Sequence, residues 1–345
     1  MTLHFKDHTA EELSKQFSIP LRLARRLQAL VVRKAAAELP RELPEVSPKV
    51  LARLRAETQV PHLTLLEKLI SPLDGFAKYL FRGQGDEPFE TVRIPLLHRE
   101  GDPKYVVCVS SQVGCALACA FCATGRMGFR RNLETWEIVD QVVKVQADSE
   151  HPVRGVVFMG MGEPLLNYDR VMRAAAIFSE PCGFAIAAKS ISISTAGVVP
   201  GIRRFTAEKR PYRLVVSLTS ADPDKRRDLM PIEKTYPLPE LMAAVREHQA
   251  TTGIRTMLAW TAISGVNTSV EDARQLAELT AGLPIKLDLI DVNDATGQFQ
   301  PPSDSELATF RDALRQELAM PVARRYSGGQ DIQGGCGMLA GTSAR

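Results

Sequence analysis

Cys115, Cys119 and Cys122 form a Cys-x3-Cys-x2-Cys run inside VSSQVGCALACAFCATGRMGFRRNL (109–133), the densest set of reactive side chains in the chain. A fourth thiol, Cys108, stands just upstream. Thiolates are soft ligands that select zinc or iron–sulfur clusters. A structural zinc site wants four protein ligands, and Cys108 could be the fourth. It lies in an apolar stretch, KYVVCVS, whose side chains need not face the loop. Cubane clusters are usually held by four cysteines, so three thiolates would leave one iron open to a small chelating ligand. The chain has six cysteines in 345 residues, too few for a disulfide scaffold, and four of them fall between 108 and 122. That clustering points to metal or catalysis.

Whatever the thiols hold must be positioned by the elements around them. From about 104 onward apolar strands alternate with helices. The strands are KYVVCVS, RGVVFMGMG, KSISISTAG, YRLVVSLTS, IRTMLAWTAIS, IKLDLIDVN and MPVARRYS. The helices between them include TWEIVDQVVKVQADSE, capped by Thr135, and LPELMAAVREHQATTG, ended by a glycine. SVEDARQLAELTAG and SDSELATFRDALRQEL follow. Such alternation implies βαβ units around a parallel sheet, six or seven of which form a full or partial barrel. The thiol run then sits in the loop after the first barrel strand, at the strand ends where ligands gather in such folds. Residues 1–95 read differently. TAEELSKQF, LRLARRLQALVVRKAAAEL and PKVLARLRAE have helical periodicity, and GFAKYLFRGQGDEPFETVRIPLL reads as a two-stranded hairpin.

Bulk properties narrow the class. A hydrophobic fraction of 45% with 24% charged residues is that of an ordinary globular protein. No apolar run approaches the ~18 residues needed to span a bilayer, and the acidic start carries no signal-peptide core. We therefore expect a cytoplasmic protein with no membrane partner. The net charge is only +3, but PLRLARRLQALVVRK (20–34), RMGFRR (126–131), RRFTAEKRPYR (203–213) and KRR (225–227) are locally basic. Together they lean towards a polyanion partner; singly each reads as a solvated face.

The thiol run on such a barrel resembles the radical S-adenosylmethionine (radical SAM) superfamily. CVSSQVGCALACAFCATGRMGFRRNL, VVFMGMGEPLLNYDRV, SISTAGVVPGIRRF and DIQGGCGMLAG are similar to the RlmN/Cfr adenosine methyltransferases, from about Lys78 to about Gly341. The resemblance implies a partial (β/α) barrel, residues 96–345, behind a small, mainly helical accessory domain, residues 1–95, that helps hold RNA. It implies one [4Fe-4S] cluster per chain on Cys115, Cys119 and Cys122, and two S-adenosylmethionine molecules per turnover. Gly162 and Glu163 would bind the methionyl amine. The resemblance also implies that Ser194, Ser217, Leu218, Thr219 and Asn293 contact the rest of that cofactor; all end expected strands, so they would share one mouth. Taken alone, each would read as a polar residue at a strand end.

Cys336, flanked by glycines, would carry the methyl group as S-methylcysteine; taken alone it would read as a small core residue. Cys108 would release the product by forming a transient disulfide with Cys336. Glu90 would take the proton lost from the adduct. The implied substrate is an adenine carbon, C2 ahead of C8, in ribosomal or transfer RNA. An electron donor such as flavodoxin or ferredoxin and a monomeric state complete the expectation. Cys182 has no counterpart and reads as structural.

Three departures stand out. Thr219 replaces a histidine, IDVNDATG loses flanking prolines around Asn293, and GGQDIQGGC carries fewer charges before Cys336. These fit a divergent paralogue within that family. A radical enzyme with a peptide or small-molecule acceptor is the second reading. A zinc-binding RNA module is the third reading.

Overall fold

The apolar runs assemble into one ten-stranded sheet in the computed structural model, which describes residues 3–96, 102–294 and 296–341. The chain begins with β1 (Leu3–His4), then α1 (Ala10–Phe17), α2 (Leu21–Gln28) and α3 (Pro48–Glu57), before β2 (Thr58–Gln59) pairs in parallel with β1. A reciprocal capping box fixes the start of α1: Thr9 Oγ1 accepts from the Glu12 N–H, and Glu12 accepts from the Thr9 N–H. The long helix expected over 21–39 is shorter. It widens into a π turn over Ala29–Arg33, and Ala35 then adopts a left-handed backbone that breaks it.

Next come β3 (Thr64–Ile70), β4 (Ala77–Arg82) and β5 (Phe89–Leu96), successively antiparallel, and β6 (Lys104–Cys108). The hairpin expected over residues 75–97 is β4–β5; β3, its edge partner, escaped the sequence reading. From β6 the sheet turns parallel. It runs through β9 (Val153–Phe158), β10 (Ile191–Thr195), β11 (Arg213–Ser217), β12 (Thr256–Ala262), β13 (Ile285–Asp291) and β14 (Ala323–Arg325), in that spatial order. These seven parallel strands make a partial barrel, and the α/β class read from the sequence is the observed one. A two-stranded ribbon, β7 (Gln112–Gly114) with β8 (Phe129–Asn132), and the short α4 (Ala123–Arg126) frame the thiol loop.

The crossover helices are α5 (Thr135–Ala147), α6 (Tyr168–Ser179), α7 (Val199–Ala207), α8 (Pro223–Leu229), α9 (Leu238–Thr252), α10 (Val270–Leu279) and α11 (Asp304–Leu318). Thr135 is the first residue of α5 rather than its cap. Glu134 precedes the helix, and its N–H donates to Glu137. Gly253 ends α9 in the left-handed conformation, as expected. One contiguous core joins Phe5, Leu13 and Leu27 of the N-terminal helices to the barrel strands and helices. Lys6, fully buried, reaches across that contact to pair with Asp140 of α5 at 2.5 Å. Among the described residues no helix is long and apolar enough to cross a membrane.

The contact of α1 with the loop after α6 carries a titrating pair. Burial and a hydrogen bond to Glu11 push the Glu180 carboxyl up to about 7, while the same bond lowers Glu11; Arg25 and Cys182 are the other groups that act on Glu180. The folded protein therefore holds a proton at Glu180 that the unfolded chain releases nearer the usual carboxylate range. The stability this contributes is lost as pH rises through about 7. Glu180→Gln keeps a donor without titrating. Its melting temperature is expected to fall less than that of wild type between about pH 6 and pH 8, as calorimetry can check.

Candidate active site

The C-terminal ends of the barrel strands surround one cleft, which encloses about 910 Å³ of open space. The thiol loop forms one wall. Cys115 follows β7, and its N–H donates to the Gly128 carbonyl at 3.1 Å. Gly114, with φ of +70°, lets the β7–β8 ribbon close there: a Cβ at this position would lie 1.8 Å from that same carbonyl. Cys122 leads into α4, and Gly125 in that helix packs against the Cys119 backbone, where a Cβ would sit 2.9 Å from its N. Cys115, Cys119 and Cys122 all line the cleft. Burial pushes the Cys115 thiol up to about 12 and raises Cys119 as well, and the neighbouring thiols add to both effects.

The second wall comes from β9 and β10. Gly162 has φ of +96° and presses on Gln112, whose Oε1 accepts from the Glu163 N–H at 2.8 Å. Glu163 is buried. Its two carboxylate oxygens accept from the backbone N–H groups of Leu165 and Ala196, at 3.0 and 2.8 Å. No cation pairs with it among the described residues, and burial pushes it up to about 7. A buried carboxylate lacking a cation is suited to an incoming ammonium. Ser194 and Ser217 line the cleft at the ends of β10 and β11.

Leu218 and Thr219 do not reach it. Both are fully buried, and Leu218 spends its backbone groups on Ala259 and Arg226. Thr219 adopts φ of +63°, an uncommon conformation for a β-branched residue, and its hydroxyl has no partner. Its carbonyl accepts from Asn267 instead. Arg226, buried, ties these strand ends together by donating to the carbonyls of Ala196 and Leu218 while pairing with Glu233 at 2.5 Å.

The third wall is the C-terminal segment. Asn293, just past β13, donates to the Cys336 carbonyl at 3.3 Å and to Ser327 Oγ at 2.9 Å. Ser327 Oγ in turn accepts from the Cys336 N–H at 3.0 Å. The Ala123 N–H donates to the Gly337 carbonyl at 2.7 Å, joining this segment to the thiol loop. Cys336 therefore sits between two spaces. One side lines the cleft; the other lines a smaller cavity of about 480 Å³ shared with Cys108, Met159 and Arg325.

Cys108 ends β6 away from the thiol triplet and faces only this second cavity, so it is not placed as a fourth ligand. Among the described residues no three Cys, His, Asp or Glu side chains are arranged to hold a single metal ion. The three loop thiols share a cavity rather than a point, which suits a cluster with a different iron on each. All six cysteines are free, with no Cys108–Cys336 disulfide.

Burial pushes Cys108 up to about 12 and raises Cys336, while the Arg325 guanidinium lowers both. Arg325→Leu is expected to slow alkylation of Cys336 several-fold at fixed neutral pH, measured by mass spectrometry of the labelled peptide.

Glu90 is not where a proton acceptor for the cleft would stand. It lines neither cavity. It is 1% exposed, pairs with buried Lys78 at 2.9 Å, and accepts from the N–H groups of Ala340 and Gly341 at 2.7 and 2.9 Å. Its carboxylate clamps the tail that carries Cys336. Sequence reading also missed Gln112, Asp291 and Arg325. Asp291 ends β13 two residues before Asn293 and lines the cleft with one carboxylate oxygen unpartnered. Strand alternation through LIDVN held that signal; no local pattern marked Arg325.

A partial barrel with three loop thiols and an ammonium-ready carboxylate at its mouth defines a radical SAM enzyme. Residues 109–278 match the Radical SAM superfamily. A "Probable RNA methyltransferase" of Myxococcus xanthus is 54% identical over 86% of this chain and 82% of its own length. A "Probable dual-specificity RNA methyltransferase RlmN" of Leptospira interrogans is 41% identical over 84% and 82%. The crystal structure of a radical SAM methyltransferase from Sphaerobacter thermophilus superimposes with a TM-score of 0.88 at 34% identity, covering 99% of this chain and all of that one. The chain belongs to the RlmN family of radical SAM methyltransferases.

Proposed function

We propose that the protein methylates an adenine carbon, C2 rather than C8, in ribosomal or transfer RNA, using Cys336 as the methyl carrier. The names of its relatives support RNA as substrate. The observation that carries the route is the position of Cys336, which lines both the thiol-loop cleft and the cavity of Cys108.

In this reading Cys115, Cys119 and Cys122 hold one [4Fe-4S] cluster, and Glu163 with Gly162 receives the ammonium of S-adenosylmethionine. When bound, these groups supply a carbon-centred radical and, from a second cofactor molecule, the methyl group. Ser194, Ser217 and Asn293 orient the ligand. Asn293 also fixes the Cys336 backbone, so cofactor placement and carrier placement share one side chain. Cys336, as thiolate, is the nucleophile that takes the methyl. Cys108, as thiolate, then attacks Cys336 Sγ: an S–S bond forms, the S–C bond to the product breaks, and its electron pair stays with the product carbon, which takes up a proton to complete the methyl group. An external dithiol returns the pair to two thiols. Residues 1–95 serve as the RNA-holding accessory part, and an external one-electron donor approaches the thiol loop.

Nucleoside mass spectrometry of ribosomal and transfer RNA, from cells with and without the gene, tests the assignment. Absence of one methyladenosine from the cells lacking the gene supports it; identical nucleosides in both would sink it.

A further inference from the structure

Many cations of the basic stretches visible in the sequence are paired with acids once the chain folds, above all those of residues 203–227. Arg203 pairs with Glu240 and Glu247, Arg204 with Asp169 and Glu208, Arg210 with Glu208, Lys225 with Asp272, and Arg227 with Asp224. On α2, Arg25 pairs with Glu11 and Arg26 donates to the Pro44 carbonyl. A different set of cations, scattered in sequence, is assembled only by the fold. Lys189, Arg213, Arg255 and Lys286 rim one cavity at the N-terminal ends of β10, β11, β12 and β13, enclosing about 910 Å³ of open space.

None of the four makes an ion pair within 4 Å among the described residues. Asp288, whose carboxyl is raised by burial, feels two of the four, Arg213 and Lys286, together with Arg325. Among the described residues no carboxylate lines the cup itself, which carries four cations. Lys189, Arg255 and Lys286 are exposed and Arg213 is half-buried, while exposed Pro211 and Ile254, buried Tyr212 and half-buried Met257 complete the lining. Solvated lysines and arginines on a convex face would splay apart. Here the strand ends hold them around a concavity, where low-dielectric walls focus positive potential.

The strands separate this cup from the cleft. At ~3.3 Å per residue, a strand of five to seven residues puts it on the order of 20 Å from the thiol loop. An electron donor has to approach that loop, so the cup does not suit one. A nucleic acid with one adenine in the cleft carries further phosphates beyond it on both sides. We propose that the cup at the base of the barrel binds backbone phosphate of the RNA substrate, as a second anchoring site remote from the chemistry. The proposal rests on the RNA reading above.

The test measures anisotropy of labelled transfer RNA and of a labelled ribosomal RNA fragment, titrated with reconstituted protein over a range of salt. In Arg255→Gln/Lys286→Gln, affinity is expected to fall roughly tenfold at about 100 mM salt. The slope of log K against log salt should shrink by about 1.4, from two contacts at about 0.7 each. Arg255→Lys/Lys286→Arg keeps wild-type affinity, and Cys336 methylation without RNA stays unchanged in both variants. On the wild type, inorganic phosphate displaces RNA more strongly than chloride at matched ionic strength.

Unchanged affinity and slope in the glutamine variant, or phosphate no more effective than chloride, overturns the proposal while leaving RNA methylation standing. A wild type that binds neither RNA overturns both readings together.

Discussion

Replacing Cys336 with alanine is expected to abolish methyl transfer while leaving the protein folded and its iron content unchanged. The contacts that hold residue 336 use its backbone: the N–H donates to Ser327, and the carbonyl accepts from Asn293. Losing one half-buried sulfur therefore leaves the segment in place. The loop thiols keep their own supports, the Gly128 carbonyl behind Cys115 and the Gly125 packing on Cys119. No other thiol can substitute. Cys108 faces only the far cavity, and Cys182 donates to Gln28 and Glu180 beside the N-terminal helices. Iron analysis and visible absorption should match wild type, while methylated RNA falls to background. Retained RNA methylation in this variant would remove Cys336 from the chemistry. Cys108→Ala should differ in kind, because Cys336 can still load a methyl but has no thiol opposite it to release the product.

The second large effect is expected at Glu90. Glu90→Ala leaves Lys78, 3% exposed, as an unpaired buried cation and strips the acceptor from two backbone N–H groups. Removing one partner of a buried pair costs about 3–5 kcal/mol, and each orphaned donor adds about 1–3 kcal/mol where water cannot reach it. The tail can escape part of this cost by detaching from the sheet. We expect faster amide exchange over residues 336–341 and a severalfold loss of methyl loading on Cys336.

Lys78→Met/Glu90→Gln separates clamp from base. Glutamine still offers a carbonyl oxygen to Ala340 and Gly341, and methionine leaves no buried charge. If Glu90 clamps the tail, this double variant recovers most Cys336 loading and most turnover. If Glu90 is the general base, loading is normal even in Glu90→Ala, and turnover is absent in every variant lacking the carboxylate.

Much of the fold was legible because parallel strands buried on both faces must be continuous apolar runs, and those runs alternate with capped helices. The thiol triplet was legible because ligand spacing is local. What escaped depends on register and on distant chain segments. β3 reads TLLEKLI with no clean alternation, since a bulge between Leu65 and Glu67 and its place at the sheet edge leave it half in solvent. Taken alone Glu90 reads as a strand-edge carboxylate, and only the family resemblance makes it a proton acceptor. Its partners are Lys78, on the neighbouring strand, and two backbone N–H groups near the C-terminus, which no window around residue 90 contains. Leu218 and Thr219 follow a strand whose last residue, Ser217, does reach the cleft. The left-handed backbone at Thr219 turns the chain into the interior, and that turn is a tertiary outcome. The basic cup is assembled from four strand starts, and of its cations only Arg213 belongs to a basic stretch read along the chain.

The most direct test follows a labelled methyl group. Anaerobically reconstituted protein is given methyl-labelled S-adenosylmethionine without RNA, freed of excess cofactor, then supplied with RNA, unlabelled cofactor and reductant. Peptide and nucleoside mass spectrometry should find the label first on Cys336 and then on an adenine carbon. Label that reaches adenine only from cofactor added with the RNA, with Cys336 unmodified throughout, would contradict the carrier role.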